Sequence, residues 1–518
     1  MKKIAVLKQT DLNNDYYLNM WLKAFRFWDF QYELIDFNTF DKADMNEYDM
    51  LLVTGVDEIN PDSATKVDRY LRSGGKILVC GSMPKAIAGY FGGIRVNKIK
   101  RINRHRCIQI CDSSNFLNWN KGEILFFTNT SGCLGTDYLI EDTTEMEAEI
   151  IAVSQEMSLV NPGTREWGEW SPSSSPSIIK KRVSAGSIMY IPIPIGAMEW
   201  VEQAVIPYFT SYPYVLENNG VLLLVRNILE RLIEPENNEY KKLWPGNAKC
   251  VVCITGDVHD YPGIEGRYDR EYKDMGYNFD VLKEYGLDGK ATYYVCGAVA
   301  EKHPDEIREG LERGYELCPH TYQETQYFTS GWDYNTQRAD IERCIKVFTK
   351  ACPDSRAYTG GFRTHGYQSD LITREVLDDL GYEYIADMQG WEVTGKYNPS
   401  QPEGLVTYVA YPQNAVDKRG RKLSLLEIPD SLGNDHFAYR MKGWSPEEAF
   451  EFWKYEFDRI YRLEGMFQTC WHPYISLMEG AGREKTYRKM IEYMKSHDGV
   501  LFMTMGELCR WWKEKQRG

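Results

Sequence analysis

Carboxylates, imidazoles and one guanidinium recur in this sequence where short apolar runs stop. The run at residues 250–255 passes into Gly256-Asp257-Val258-His259-Asp260, three titratable groups within four positions. The run at 315–318 passes into Pro319-His320-Thr321-Tyr322-Gln323-Glu324, and that at 361–362 into Arg363-Thr364-His365. Asp387 follows the run at 385–386, and His472-Pro473 follows 467–471. Such groups take and give protons at reacting centres. Of the eight histidines, His259, His320, His365 and His472 all adjoin these ends. If the runs are strands of one barrel or doubly wound sheet, their C-terminal ends converge, and residues far apart in sequence share one site.

The scaffold that such convergence demands is visible in the rest of the C-terminal half. Apolar runs at 250–255, 291–295, 315–318, 360–362, 384–386, 466–470 and 500–503 alternate with helical stretches. Ile341, Cys344, Ile345 and Phe348 share a helical face, and Ser445-Pro446-Glu447-Glu448 is a capping box with Pro at the first helical position. Seven strands with helical crossovers suit a (β/α) barrel or an open doubly wound sheet.

A chain of 518 residues calls for two or three domains. The polar, turn-rich segment 234–239 follows a helical pattern at 221–233 and marks a boundary. Before it, apolar runs at 4–7, 50–53, 77–80 and 187–192 surround a helix at 63–72 and a strand-richer region, which reads as a parallel α/β sheet. A hydrophobic fraction of 43% with 26% charged residues excludes wholesale disorder. A net charge of -14 repels phosphate backbones and anionic membranes, so neither nucleic acid nor lipid is an expected partner. Only four consecutive apolar residues stand near the N-terminus, short of the roughly 7 to 15 of a secretory core, so a cytoplasmic location is expected. The twelve cysteines lack paired zinc-site spacing and are read as reduced thiols.

Over roughly residues 248–518 the order of motifs resembles the polysaccharide deacetylase superfamily, also called NodB-homology or carbohydrate esterase 4-like. The motifs are Thr255-Gly256-Asp257-Val258-His259-Asp260, His320-Thr321-Tyr322-Gln323-Glu324, Phe362-Arg363-Thr364-His365-Gly366-Tyr367, Asp387 and His472-Pro473-Tyr474. The His-Pro form is similar to that of the allantoinase-like and peptidoglycan-deacetylase-like branches. The N-terminal half resembles class I glutamine-amidotransferase-like, flavodoxin-like domains in architecture alone. An amidotransferase triad needs a Cys and a His, and the only histidine before the boundary is His105, so that half is expected to be non-catalytic. The expectation is thus an α/β chain: a flavodoxin-like parallel-sheet domain over 1–236, then a distorted (β/α) barrel of the polysaccharide deacetylase type over 245–518.

The resemblance implies a hydrolase of carbon–nitrogen bonds that removes acetyl from an N-acetylated saccharide. It makes Asp257 the base and His472 the acid, with Arg363 holding Asp257 and Asp387 supporting His472. Two departures stand out. Glu324 occupies the place of the second metal-binding histidine, and the ligand aspartate is displaced, leaving His259 and Asp260 to compete for it. His320, Glu324 and one of His259 or Asp260 would still offer three ligands for Zn²⁺, with Mn²⁺ or Fe²⁺ as options. His365 and Tyr367 are expected to line the substrate groove. Two other readings stay open: a metal-free amidohydrolase of the allantoinase-like branch acting on a small amide, and a silent glycan-binding relative. A homo-oligomer is also compatible with the sequence. Each residue alone has an ordinary reading too: His472 as a strand cap, Arg363 as a surface ion pair, Asp387 as a turn residue, and Trp391, Trp444 and Trp471 as core rather than sugar-stacking platforms.

Overall fold

The computed structural model describes residues 3–8, 15–99, 104–112, 121, 124–127, 137–141, 146–161, 166–193, 195, 205–208, 212–215, 219–233, 243–259, 268–323, 331–352, 360–367, 369–387, 406–407, 411–417, 419, 421–431, 434–478 and 481–517. The boundary expected at 234–239 lies outside them. Among the described residues no helix is long and apolar enough to cross a membrane.

In the N-terminal half, β1 (Lys3–Lys8), β2 (Gln31–Asp36), β3 (Met50–Thr54), β4 (Lys76–Cys80) and β5 (Gly186–Ile191) lie in the order β2-β1-β3-β4-β5, all parallel. Apolar runs such as Met-Leu-Leu-Val in β3 are buried on both faces, as parallel strands require. The helix expected at 63–72 begins earlier, at Pro61, because the Asn60 side chain accepts from Ser63 N–H and Pro61 fits the first turn. Beyond β5 the sheet turns antiparallel through Glu166–Val183, Glu149–Asn161, Arg104–Ile110 and Ile124–Phe127. Its last strand, Val406–Thr407, comes from beyond the linker and pairs with Ile124 and Leu125.

The C-terminal half is a split barrel. One parallel sheet joins β6 (Cys250–Val258), β7 (Ala291–Val295), β8 (Glu316–Pro319), β12 (Met466–Cys470) and β13 (Val500–Phe502). A second joins β9 (Gly361–Phe362), β10 (Tyr384–Ile385) and β11 (Lys422–Glu427), with Gln413–Val416 antiparallel at its edge. A main-chain bond links the sheets beyond β11, where Ser431 N–H donates to Gln468 O at 2.7 Å. The expected capping box is present: Ser445 accepts from Glu448 N–H, and Glu448 returns the bond to Ser445 N–H.

An aromatic seam packs the two halves together. Trp512 on the C-terminal helix Met505–Arg517 lies 5.7 Å from Phe27, 5.7 Å from Trp244 and 5.8 Å from Tyr411, ring to ring. Arg226, on helix Asn219–Ile233, stacks over Trp28 and pairs with Glu464 at 2.6 Å. Trp512→Ala is therefore expected to cost about 3–5 kcal/mol. Urea unfolding followed by near-UV circular dichroism checks it; a loss under about 1 kcal/mol would show that the seam contributes little.

Helix Tyr334–Ala351 braces the loop after β8: Asp340 accepts from Tyr322 N–H at 3.1 Å. Burial pushes the Asp340 carboxyl up to about 6. The folded state therefore holds its proton more tightly than the unfolded chain. That stabilisation is complete below about pH 4 and is lost as pH rises through about 6. Asp340→Asn keeps an acceptor without the charge. It should be more stable than wild type by on the order of 2 kcal/mol at pH 8 and level with it near pH 4, as thermal melts across pH would report.

Candidate functional site

Strand β6 extends three residues past its expected end, because Asp257 pairs with Tyr294 and Val258 with Val295 of β7. Asp257 therefore projects from the strand itself. Its neighbour must be glycine, since a Cβ at Gly256 would stand 2.9 Å from Trp471 O and 3.0 Å from the Tyr293 ring. Asp257 is only 3% exposed, and its Oδ1 accepts from Arg363 Nη1 at 2.9 Å.

Arg363 is wholly buried and fully engaged. Its Nη1 also reaches Thr255 Oγ1 at 3.2 Å, and its Nε donates to Ala386 O at 3.0 Å. With its amide oxygen turned to the guanidinium, Gln468 accepts from Nη2 at 2.5 Å and donates to Pro429 O at 2.7 Å. The guanidinium also lies over two aromatic rings, 4.2 Å from the centroid of Tyr294 and 5.1 Å from that of Tyr367. Burial would raise the Asp257 carboxyl, but the Arg363 guanidinium, together with His320 and His472, outweighs it and holds the group at about 2.

Four imidazoles cluster beside this carboxylate. His259 stacks on His320 with centroids 5.3 Å apart and lies 5.1 Å from both His365 and His472. His320 Nδ1 sits 2.6 Å from Arg363 O, and a carbonyl only accepts, so Nδ1 carries the proton. Its Nε2 lone pair then points into the site, 4.0 Å from Asp257 Oδ2, buried and without a hydrogen-bond partner. Burial lowers His320 to about 4, His365 to about 3 and His259 well below its ordinary value, so these rings are neutral at physiological pH. Ligand atoms of His259, His320 and His365 lie within 4.8 Å of one another. An orphaned, buried nitrogen among neutral imidazoles fits a divalent ion of the zinc class.

Of the expected ligands, His320 is in this cluster. Glu324 and Asp260 lie outside the described residues. His259 is in the cluster, and His365, expected to line the groove, stands among the candidate ligands instead. Tyr367, also expected there, is 5% exposed, with its hydroxyl donating to Asp430 and its ring on Arg363. Trp471 is core, edge-on to Trp453 and Tyr487; Trp444 packs on Phe437 and Phe452; Trp391 is outside the described residues.

The carboxylate on His472 is Asp435 rather than Asp387. Asp435 Oδ1 lies 2.6 Å from His472 Nδ1, and its Oδ2 accepts from Ser476 Oγ at 2.6 Å. Asp387 is turned to the segment after β9, accepting from Thr364 N–H at 2.7 Å and from the Thr364 hydroxyl. Burial pushes its carboxyl up to about 6 against those bonds. His472 faces Asp257 across the site: ligand atoms of Asp257, Cys470 and His472 also lie within 4.8 Å of one another. Two π-helical turns, His436–Met441 and Tyr474–Met478, flank His472, a geometry frequent at functional sites.

Sequence reasoning missed Asp430 and Asp435. Asp430 follows β11, and the strand-end rule would have found it had Lys422–Glu427 been read as a strand. Asp435 sits in a turn where no periodicity points to it.

The polysaccharide deacetylase family profile matches residues 269–385. A putative polysaccharide deacetylase of Schizosaccharomyces pombe is 25% identical over 239 residues, 43% of this chain and 68% of that protein. Among solved structures, a putative polysaccharide deacetylase from Mycobacterium smegmatis is 20% identical, with a TM-score of 0.43 over 53% of this chain and 93% of that one. Puue allantoinase is 18% identical, with a TM-score of 0.42 over 52% and 92%. The C-terminal half of the chain thus carries a polysaccharide deacetylase domain, matched over residues 269–385.

Proposed function

We propose that this chain hydrolyses the acetamide of an N-acetylated saccharide, with Asp257 as base and His472 as acid. The observation that carries the reading is the convergence of an ionised, Arg363-held carboxylate and an Asp435-held imidazole on one cluster of neutral histidines. Oδ1 of Asp257 is committed to Arg363, which leaves Oδ2 to take a proton from the attacking water. His472 Nδ1 is committed to Asp435, so the proton passed to the departing nitrogen would come from Nε2. Asp435, as an acceptor on Nδ1–H, stabilises the imidazolium that precedes delivery. His259, His320 and His365 would hold a divalent metal, zinc before manganese or iron. When bound, such an ion supplies Lewis acidity to carbonyl and water, the complement that a base as weak as Asp257 requires.

The N-terminal half is read as a flavodoxin-like domain over 1–236. The order β2-β1-β3-β4-β5 supports this, since it is the doubly wound order of that class. It supports the barrel, read as 245–518, through the aromatic seam and the shared strand at Val406–Thr407. Cys80, at the end of β4, is buried with its thiol on Ile193 O, an arrangement without a nucleophile's exposure.

Acetate release from N-acetylated chito-oligosaccharides should fall by about 10²–10⁴-fold in Asp257→Asn and in His472→Ala. Wild-type release no faster than the Asp257→Asn variant would dispose of the reading. Purified protein should bind about one Zn²⁺ per chain, and His320→Ala or His365→Ala should weaken that binding by at least about 10-fold. Equilibrium dialysis with metal analysis reads this; unchanged affinity in both variants would favour a metal-free amidohydrolase.

A further inference from the structure

Tyr367 is one of five non-glycine residues with positive φ among the described residues, at 57°, directly after Gly366 at 59°. A bulky side chain in that region carries strain that its surroundings must offset. Here the surroundings are specific. The Tyr367 hydroxyl donates to Asp430 Oδ2, and the ring lies against the Arg363 guanidinium, which stands 5.1 Å from the ring centroid. Asp430 is itself 4% exposed and sits where the chain passes from β11 to the Ser431–Gln468 link. The same segment holds Arg363 at one end and Tyr367 at the other, so a bond at Tyr367 fixes both.

We propose that Tyr367 and Asp430 are positioning residues for the Arg363–Asp257 pair. The hydroxyl anchored on Asp430 keeps the ring over the guanidinium, and the ring keeps the guanidinium on the carboxylate. Neither residue touches substrate or exchanges protons with it. This deepens the hydrolase reading above and, in its kinetic part, rests on it.

The test compares Tyr367→Phe, Asp430→Leu and Asp430→Asn. Asparagine retains an acceptor oxygen, whereas leucine and the phenylalanine ring lose the bond. In acetate release from N-acetylated chito-oligosaccharides, kcat should fall about 10- to 100-fold in Tyr367→Phe and Asp430→Leu, with KM within about twofold. Asp430→Asn should stay within about threefold of wild type. Crystal structures should show Arg363 displaced from Asp257 in Asp430→Leu and retained in Asp430→Asn. Full activity in Tyr367→Phe and Asp430→Leu, with Arg363 still on Asp257, would overturn the proposal. Asp430→Asn as impaired as Asp430→Leu would overturn it too, since the carboxylate would then act by its charge. If the wild type releases no acetate, the saccharide reading fails separately. The clamp is then decided by the crystal structures and by urea unfolding, where the Tyr367→Phe and Asp430→Leu losses should overlap in the double variant rather than add.

Discussion

A guanidinium with no exposed surface and the carboxylate it holds are the interaction on which the rest of this structure depends. Removing one partner of such a buried pair costs about 3–5 kcal/mol, because the other charge is left uncompensated. Arg363 avoids that by meeting a different strand with each donor. Thr255 and Asp257 come from β6, Ala386 from the end of β10 and Gln468 from β12, while the Tyr294 ring comes from β7. No subset of the barrel satisfies it. Closure of the fold and assembly of the site are therefore one event.

The same pair sets the electrostatics around it. Desolvation makes charge expensive here, and the imidazoles of His259, His320 and His365 respond by staying neutral, while Asp257 keeps its charge with its counter-ion buried beside it. The result is a fixed anion beside three nitrogens fit for metal, faced by His472, whose proton-bearing Nδ1 is held by a second carboxylate. Two carboxylates thus serve one acid and one base without sharing a partner.

Much of this was legible in the sequence because barrel topology converts strand ends into neighbours. Asp257, His259, His320, Arg363, His365 and His472 were found by that rule, and each lies at the site. The rule failed where a strand went unread. Lys422–Glu427 starts with exposed polar residues and ends with buried Leu425, Leu426 and Glu427, so its pattern is mixed and Asp430 behind it was passed over. Roles were less legible than places. Motif order points Asp387 at His472, yet its bonds run to Thr364, and Asp435, which no periodicity marks, holds the imidazole. Motif order points Tyr367 and His365 toward the substrate groove, but sequence does not tell which way a loop turns after its strand. The positive φ at Gly366 and Tyr367 is what turns one side chain to Arg363.

The claim that a metal-supported hydrolytic site has been assembled from these strand ends is tested most directly by anomalous diffraction from crystals soaked in Zn²⁺. The account predicts one strong peak bounded by the ring nitrogens of His259, His320 and His365, with Asp257 still paired to Arg363. Zinc held only elsewhere on the chain, or bound there by displacing Asp257 from Arg363, would contradict it.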